Sequence, residues 1–351
     1  MAEGRNLVGV DIGSTSIKVV EMKENRSGER TLVRFGFHPL PEQTIVDGTI
    51  MNQGAVVEGL QKLFHRARRK DVALRASGHS VIIKKITMPL MTSAELQEQI
   101  TWEAEQHIPF DLAEVEVDWQ VLTRRQDQGQ MEVLLVAAKR EELLDLKAIA
   151  VDAKLKPKVI DLDAFTVQNT FEAGYGAPGP TDTVALLHVG ASLTTLNILS
   201  EGTTSFTRDI ATGGNQINEE IMRALGVPAE QAEAYKTGGD GRSIVPTEVP
   251  VIIDQVVDQI AGEIQRSLDF YLATSGIGEI NRVYVSGGTA HIQALLTAIE
   301  GRCRVPVEPL DPLRVCIPDP KTVDVQLFES CAPQAVVAVG LALRKDRERR
   351  T

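Results

Sequence analysis

The sequence predicts an α/β protein built from two similar lobes, with a compact module inserted into the first. Three observations predict this. Val8 to Glu21 and Ala185 to Ile198 read as distorted copies of each other. Between them, residues 80 to 160 follow the order β-α-β-β-α-β, a unit able to fold by itself. Tyr175-Gly176-Ala177-Pro178-Gly179-Pro180 then marks a turn-rich boundary before the second copy. On this reading residues 1–79 start the first lobe (1A), 80–156 form the inserted module (1C), and 157–180 return to the first lobe. Residues 181–331 form the second lobe (2A and 2B), and 332–351 carry a helix back to the first.

Each copy has an apolar strand, a polar residue, a glycine turn rich in Ser and Thr, and a second apolar strand. This is the pattern of a β-hairpin whose tip is free of bulky side chains. Such a tip lets a phosphate chain approach backbone N–H groups without a Cβ clash. Two facing tips would clamp a nucleotide between the lobes.

Taken in order, the spacing predicts strands over 7–13, 16–23 and 30–38. A helix follows from Val56 to Lys70, with Val57, Leu60, Leu63, Phe64 and Ala67 at helical spacing. Its basic end, His65 to Lys70, reads as cations favoured at a helix C-terminus. The alternative reading is a contact with anionic lipid. The strand Ser80 to Met88 stops at Pro89, and Ser93 caps a helix over 94–107 with Glu95, Glu98 and Glu103 on its solvated side. Strands over 115–123 and 131–138, a helix over 140–153 and a strand over 156–161 complete the module.

Beyond the second hairpin the pattern gives a strand over 203–210, the turn Thr212-Gly213-Gly214, and helices over 215–225 and 229–237. A loop from Gly238 to Pro246 leads to one long helix, Val249 to Thr274. Ile252, Val256, Ile260, Ile264, Leu268 and Leu272 line one face of it and read as core. Strand 282–286 runs into Gly287-Gly288, a helix starts near Ala290, and another spans Ala332 to Leu343. The charged stretch Arg344 to Arg350 reads as a solvated tail.

Composition narrows the function classes. A length of 351 residues, 43% apolar and 24% charged, is ordinary for a globular protein with ample core. The net charge of −11 argues against general nucleic-acid binding. No apolar run is long enough to span a bilayer, and the polar start is not a signal peptide, so the expected location is cytoplasmic. Cys303, Cys316 and Cys331 fit neither a metal site nor a disulfide framework and read as reduced, buried thiols. There is no GxxxxGK[ST], no GxGxxG after the first strand, no HExxH and no GxSxG.

Asp11-Ile12-Gly13-Ser14-Thr15-Ser16 with Lys18 resembles the first phosphate loop of the actin, heat-shock chaperone and sugar-kinase ATPases. Gly190 to Thr195 resembles their second phosphate loop, and Thr212-Gly213-Gly214 the glycine pair that follows it. Glu233-Ala234-Tyr235-Lys236 resembles the E-x-x-K that touches ribose and base, and Ser286-Gly287-Gly288-Thr289 the adenosine corner. Asp161-Leu162-Asp163-Ala164 and Ala335 to Leu341 fall where the two interdomain helices belong. The resemblance implies an actin-like, ribonuclease-H-type two-lobed ATPase fold.

Within that superfamily the inserted module resembles those of FtsA and PilM. Met88-Pro89-Leu90 with Ala94-Glu95-Leu96, Glu103-Ala104-Glu105-Gln106-His107-Ile108-Pro109-Phe110, Leu135-Val136-Ala137-Ala138-Lys139 and His188-Val189-Gly190-Ala191 are similar to the PilM family of type IV pilus assembly proteins. The resemblance implies an ATP-binding adaptor on the cytoplasmic side of the inner membrane. Its partner would be the N-terminal cytoplasmic peptide of PilN, held in a groove between first lobe and module, with contacts passed on to the motor ATPases. Membrane association would be indirect, through partners, and self-association stays open. The alternatives are an FtsA-like, filament-forming division protein and a catalytically active ATPase of the actin or chaperone type.

The same resemblance assigns roles. Asp11 would hold Mg²⁺ through water. Gly13, Ser14, Thr15 and Ser16 would donate to the β-phosphate and Lys18 would add a cation. Gly190, Ala191, Ser192 and Thr194 would approach the γ-phosphate, with Gly213 and Gly214 on the phosphate or sugar side. Glu233 and Lys236 would meet ribose or base unless they form only an i,i+3 ion pair, and Gly287 and Gly288 would flank the base. His188 stands where these families carry Asp. A neutral imidazole brings no charge to Mg²⁺, so ATP is expected to bind but to turn over slowly or not at all.

Overall fold

β1 (Val8–Ile12), β2 (Ser16–Glu24) and β3 (Arg30–Pro39) form an antiparallel meander in the computed structural model, which describes residues 4–46, 48–76, 78, 80–239 and 244–346. Every residue of β1 is buried, as befits a central strand covered on both faces. The short pair β4 (Ile45–Val46) and β5 (Thr49–Ile50) leads into α1 (Gln53–Phe64). Asn52 starts this helix by accepting the N–H of Ala55. The helix therefore begins before the expected Val56 and ends at Phe64, leaving the basic run beyond it. Lys70 still serves the helix end, because its Nζ donates to the carbonyl of Phe64 at 2.8 Å. β6 (Asp71–Ala76) then pairs parallel with β1.

The module contains β7 (Val81–Pro89), α2 (Ser93–His107), β8 (Val115–Arg125) and β9 (Gln130–Lys139), with sheet order β7-β9-β8. Leu96, Ile100 and Ala104 of α2 pack against Ile86, Met131 and Val133 of the sheet. The cap of α2 is Thr92 rather than Ser93. Its hydroxyl accepts the N–H of Glu95, whose carboxylate accepts the N–H of Thr92 at 2.7 Å, closing a capping box.

α3 (Arg140–Asp152) and β10 (Lys156–Leu162) do not complete the module, contrary to expectation. β10 pairs parallel with β6 in the first sheet, and Ile149, Ala150, Ala153 and Leu155 pack into the core of Val56, Leu60 and Phe64. The module proper is thus β-α-β-β. The last helix and strand bury their apolar residues against α1 instead of α2.

After α4 (Asp163–Tyr175), the second lobe repeats the plan. β11 (Thr183–Val189), β12 (Thr194–Ser200) and β13 (Thr203–Ile210) form its meander. α5 (Asn215–Leu225), α6 (Ala229–Lys236) and the long α7 (Glu248–Ser275) follow, and the stripe of α7 enters the core as expected. β14 (Arg282–Ser286) pairs parallel with β11. The glycine corner opens into a 3-10 turn over Gly288–His291 before α8 (Gln293–Cys303), and β15 (Val307–Pro309) closes the sheet. β16 (Ile317–Pro318) returns to pair with β3, followed by α9 (Val325–Ser330) and α10 (Ala332–Ala342).

The two sheets have orders β10-β6-β1-β2-β3-β16 and β15-β14-β11-β12-β13. The repeat seen in the hairpins therefore extends over five strands of each sheet. α4 and α10 cross between the sheets in direct backbone contact. A Cβ on Gly340 would lie 1.9 Å from the carbonyl oxygen of Thr166, and Thr170 Oγ1 donates to Val336 O at 2.8 Å. Arg344 to Asp346 are not a free tail: Lys345 bridges Asn6, and the Asp346 carboxylate accepts the N–H of Arg5 at 2.9 Å. The rest of that stretch, and the middle of the expected 238–246 loop, lie outside the described residues. Cys316 and Cys331 are buried, Cys303 is half-buried, and all three are free.

Candidate nucleotide site

The tips of the two hairpins face one cavity of about 1,540 Å³ between the lobes. Asp11, Gly13, Ser14, Thr15, Ser16 and Lys18 line it from the first lobe, and His188, Gly190, Ala191 and Ser192 from the second. The hairpins hold these residues in matched places. Asp11 lies opposite Lys18 in the first, and His188 lies opposite Thr195 in the second.

Asp11 is buried between two cations. Lys18 Nζ lies 3.4 Å from Oδ2, and Arg75 Nε lies 3.0 Å from Oδ1. Burial by itself would raise the Asp11 carboxyl, but Lys18 and Arg75 overcome it and hold the group below the usual aspartate value. Arg75 Nε donates to the carbonyl of Ile12 at 3.2 Å, so Oδ1 of Asp11 remains a buried acceptor without a hydrogen bond. Arg75 Nη1 reaches Asp163 at 2.5 Å. Burial pushes the Asp163 carboxyl up to about 7, against the pull of Arg75, and the nearby Asp11 and Asp209 push in the same direction. One guanidinium faces three carboxylates and cannot neutralise them all.

The second hairpin is built differently. His188 Nδ1 lies 3.0 Å from Ser286 Oγ, and that hydroxyl also reaches the carbonyl of Leu187. Burial pushes the imidazole down to about 3, so His188 is neutral at physiological pH. Position for position, the charged set Asp11, Lys18 and Arg75 of the first lobe corresponds to His188, Thr195 and Ser286 of the second.

The remaining expected residues divide into two groups. Gly214, Glu233, Lys236 and Gly288 line the cavity. Glu233 and Lys236 do form the i,i+3 ion pair, at 2.5 Å, and Glu233 also accepts from Asn218 Nδ2. Thr194, Gly213 and Gly287 stand behind the wall. Thr194 Oγ1 donates to Thr212 O, tying the hairpin to the glycine turn. A Cβ on Gly213 would lie 2.6 Å from the carbonyl oxygens of both Gly190 and Ala191. That glycine therefore permits packing behind the tip, where Gly214 and Asn215 donate their N–H groups to the same two carbonyls.

Sequence reasoning missed Arg75, Asn215 and Asn218, and saw in Asp163 only the start of a helix. Arg75 left one signal, a charge interrupting the apolar run Val72-Ala73-Leu74. Among the described residues no group of three His, Cys, Asp or Glu could hold a metal, and no helix is long and apolar enough to cross a membrane.

Twin sheets that share a five-strand order, two crossing helices and a cleft lined by paired glycine hairpins define an actin-like ATPase fold. Solved structures of that fold match over nearly the whole chain. MreB5 of Spiroplasma citri bound to AMPPNP is 14% identical, with 96% of this chain and 95% of that chain covered and a TM-score of 0.54. The ethanolamine utilization protein EutJ from Carboxydothermus hydrogenoformans is also 14% identical, covering 96% and 89%, with a TM-score of 0.57. A PilM-PilN type IV pilus biogenesis complex matches much better, at 27% identity, 99% and 100% coverage and a TM-score of 0.86. The model of the type IV pilus assembly protein PilM matches residues 9–346, and the chain belongs to that family.

Proposed function

We propose that this chain is an ATP-binding adaptor of the pilus assembly machine, which captures the N-terminal cytoplasmic peptide of PilN and turns ATP over slowly or not at all. The observation that carries the reading is the asymmetry of the two hairpins. The first offers Lys18 and Arg75 around Asp11, while the second offers a neutral His188 held by Ser286. Phosphates gain charge and backbone donors on one side. On the other, His188 brings no carboxylate to the hairpin tip, the place from which one would orient an attacking water; Glu219, Glu230, Glu233 and Asp254 line the same cavity from other elements.

Mg²⁺ fits this cleft in an outer role. The unfilled acceptor Oδ1 of Asp11 suits a water of the ion's shell, and the two adjacent cations disfavour direct ligation. When bound, the ion would add positive charge to the phosphates.

Likeness to a PilM-PilN complex supports PilN as the partner. For the peptide we propose the cavity of about 320 Å³ where Val81 to Lys84 of β7 meet Ala76, Gly78 and Thr207 to Asp209 of β13. β7 is an edge strand of the module's sheet, and edges take up extended peptides. This cavity and the nucleotide cleft share Asp163. Asp209 accepts the N–H of Gly78 at 3.2 Å, so nucleotide-dependent rearrangement of Arg75 would be felt at the entry to the module. Docking to motor ATPases would follow from the same assembly.

Calorimetric titration of Mg-ATP into the wild type and into Asp11→Ala tests this. Binding by the wild type, weakened about tenfold or more in the variant, with no phosphate release above a protein-free blank, is the expected result. ATP should also raise the affinity for a PilN N-terminal peptide. No binding by the wild type overturns the nucleotide role, and phosphate release as fast as that of an ordinary ATPase overturns slow turnover.

A further inference from the structure

We propose that the end of the first lobe opposite the nucleotide cleft is a basic docking face for an anionic lipid bilayer. The phosphate-binding tip follows the C-terminal end of β1. The face lies at the other end, where the starts of three parallel strands align with Val8 beside Val72 and Val72 beside Pro157.

Two separate segments converge there. One is the basic run His65 to Lys70 after α1, and the other is Lys154 to Lys158, leading into the edge strand β10. The N–H of Lys156 donates to the carbonyl of Lys70 at 2.8 Å, and Gln61 of α1 reaches the carbonyl of Asp152. Part of the basic run has a local role: Lys70 closes α1, and Arg69 faces Glu21. Arg66, Arg68, Lys154, Lys156 and Lys158 are exposed and form no ion pair among the described residues. Lysines on an edge strand also discourage strand pairing. That accounts for Lys156 and Lys158 but not for Arg66, Arg68 and Lys154, which lie on other elements.

Five unpaired cations outnumber Asp71 and Asp152 at the strand ends, in a chain whose net charge is −11; Glu141 and Asp145 flank the neighbouring face of α3, together with Lys147. Beside them α3 exposes Leu144 (55%), Ala148 and Val151 (50%), a single stripe at i, i+4 and i+7. The stripe runs straight into the basic segment, since the N–H of Lys154 donates to the carbonyl of Val151 at 2.9 Å. Long basic side chains beside an aliphatic stripe suit the headgroup region, where stems and stripe meet the acyl boundary and the cations meet lipid phosphates.

Co-sedimentation of the full chain with vesicles tests the proposal, using phosphatidylcholine alone and a mixture with phosphatidylglycerol. Expected is binding to the anionic vesicles only, reversed by high salt. Each lost contact should lower partitioning about fivefold, so R66E/R68E/K154E/K156E should lose about 600-fold or more. L144S/V151S should weaken binding while keeping its salt dependence. If the fourfold variant melts below the wild type, the pair R66Q/R68Q replaces it, with about a 25-fold loss expected. Equal binding to neutral vesicles, no binding to anionic ones, or unchanged binding by a folded charge variant overturns the proposal. So does binding to poly-glutamate without binding to vesicles, which would make the face a protein-docking surface.

Discussion

Arg75 Nε lies 3.0 Å from Oδ1 of Asp11, across neighbouring strands of the first sheet. The arginine rises from β6 into the mouth of the first hairpin, at the place Ser286 holds in the second lobe. Replacing it with Met leaves Asp11 and Asp163 buried with only Lys18 between them and the cleft. Breaking a buried pair in this way costs roughly 3–5 kcal/mol, less where water reaches the site. Calorimetry should show Arg75→Met melting well below the wild type, and the double variant with Asp163→Asn recovering part of the loss. A wild-type melting temperature in the single variant would show that Arg75 does not hold this cluster.

His188 gives the fold a sensitivity to acid. Its folded pKa, about 3, lies below its unfolded value of 6.5. The stability it contributes is therefore present above pH 6.5 and is lost as pH falls toward 3, where only the unfolded chain takes up the proton. At pH 5 the loss is about 2 kcal/mol. The difference in unfolding free energy between pH 7 and pH 5 should shrink by about that amount in His188→Gln. In the wild type the His188 ring resonances should not titrate between pH 5 and 8.

Asp163 should titrate at a much higher pH than an ordinary aspartate on the surface. With burial pushing it to about 7, a protonated carboxyl should be visible by difference infrared spectroscopy below neutrality and fade as pH passes 7. Asp163→Asn should lack that band. A band that survives the substitution belongs to another group.

Gly340 tests the crossing of α4 and α10. An alanine there would place its Cβ against the backbone of Thr166, where no side chain can yield. Overpacking of this kind costs about 1–3 kcal/mol or more. Gly301→Ala in α8, with nothing within 4 Å of the added carbon, serves as control and should be neutral or stabilising. Similar melting temperatures for the two variants would contradict the close crossing.

The hairpins were legible because their signal is local: strand, small-residue turn and strand within fourteen residues. Asp11 and His188 could be placed on that pattern alone. Arg75 could not, because its importance arises from the parallel pairing of β6 with β1, which no local pattern encodes. The same limit misplaced α3 and β10. A helix over 140–153 can be read from the sequence, but the pattern does not say which core receives its buried face. Thr194 and Gly213 read as ligand contacts because hydroxyls and glycines serve equally at a tip and behind it. Only the register, with Thr194 opposite Val189, separates the two positions.

The placement of α3 and β10 also shows how the module is carried. In the second lobe, β14 and β15 are parallel neighbours joined through α8, the crossover that parallel strands require. In the first lobe, β6 and β10 are the corresponding neighbours and α3 the corresponding helix. Residues 81–139 are spliced between strand and helix like a cassette, and the chain resumes an unchanged path on the other side. Topologically, an ancestor without the cassette would already have possessed both phosphate hairpins and both crossing helices. Acquiring it would have added a new surface without redrawing the fold that holds the nucleotide.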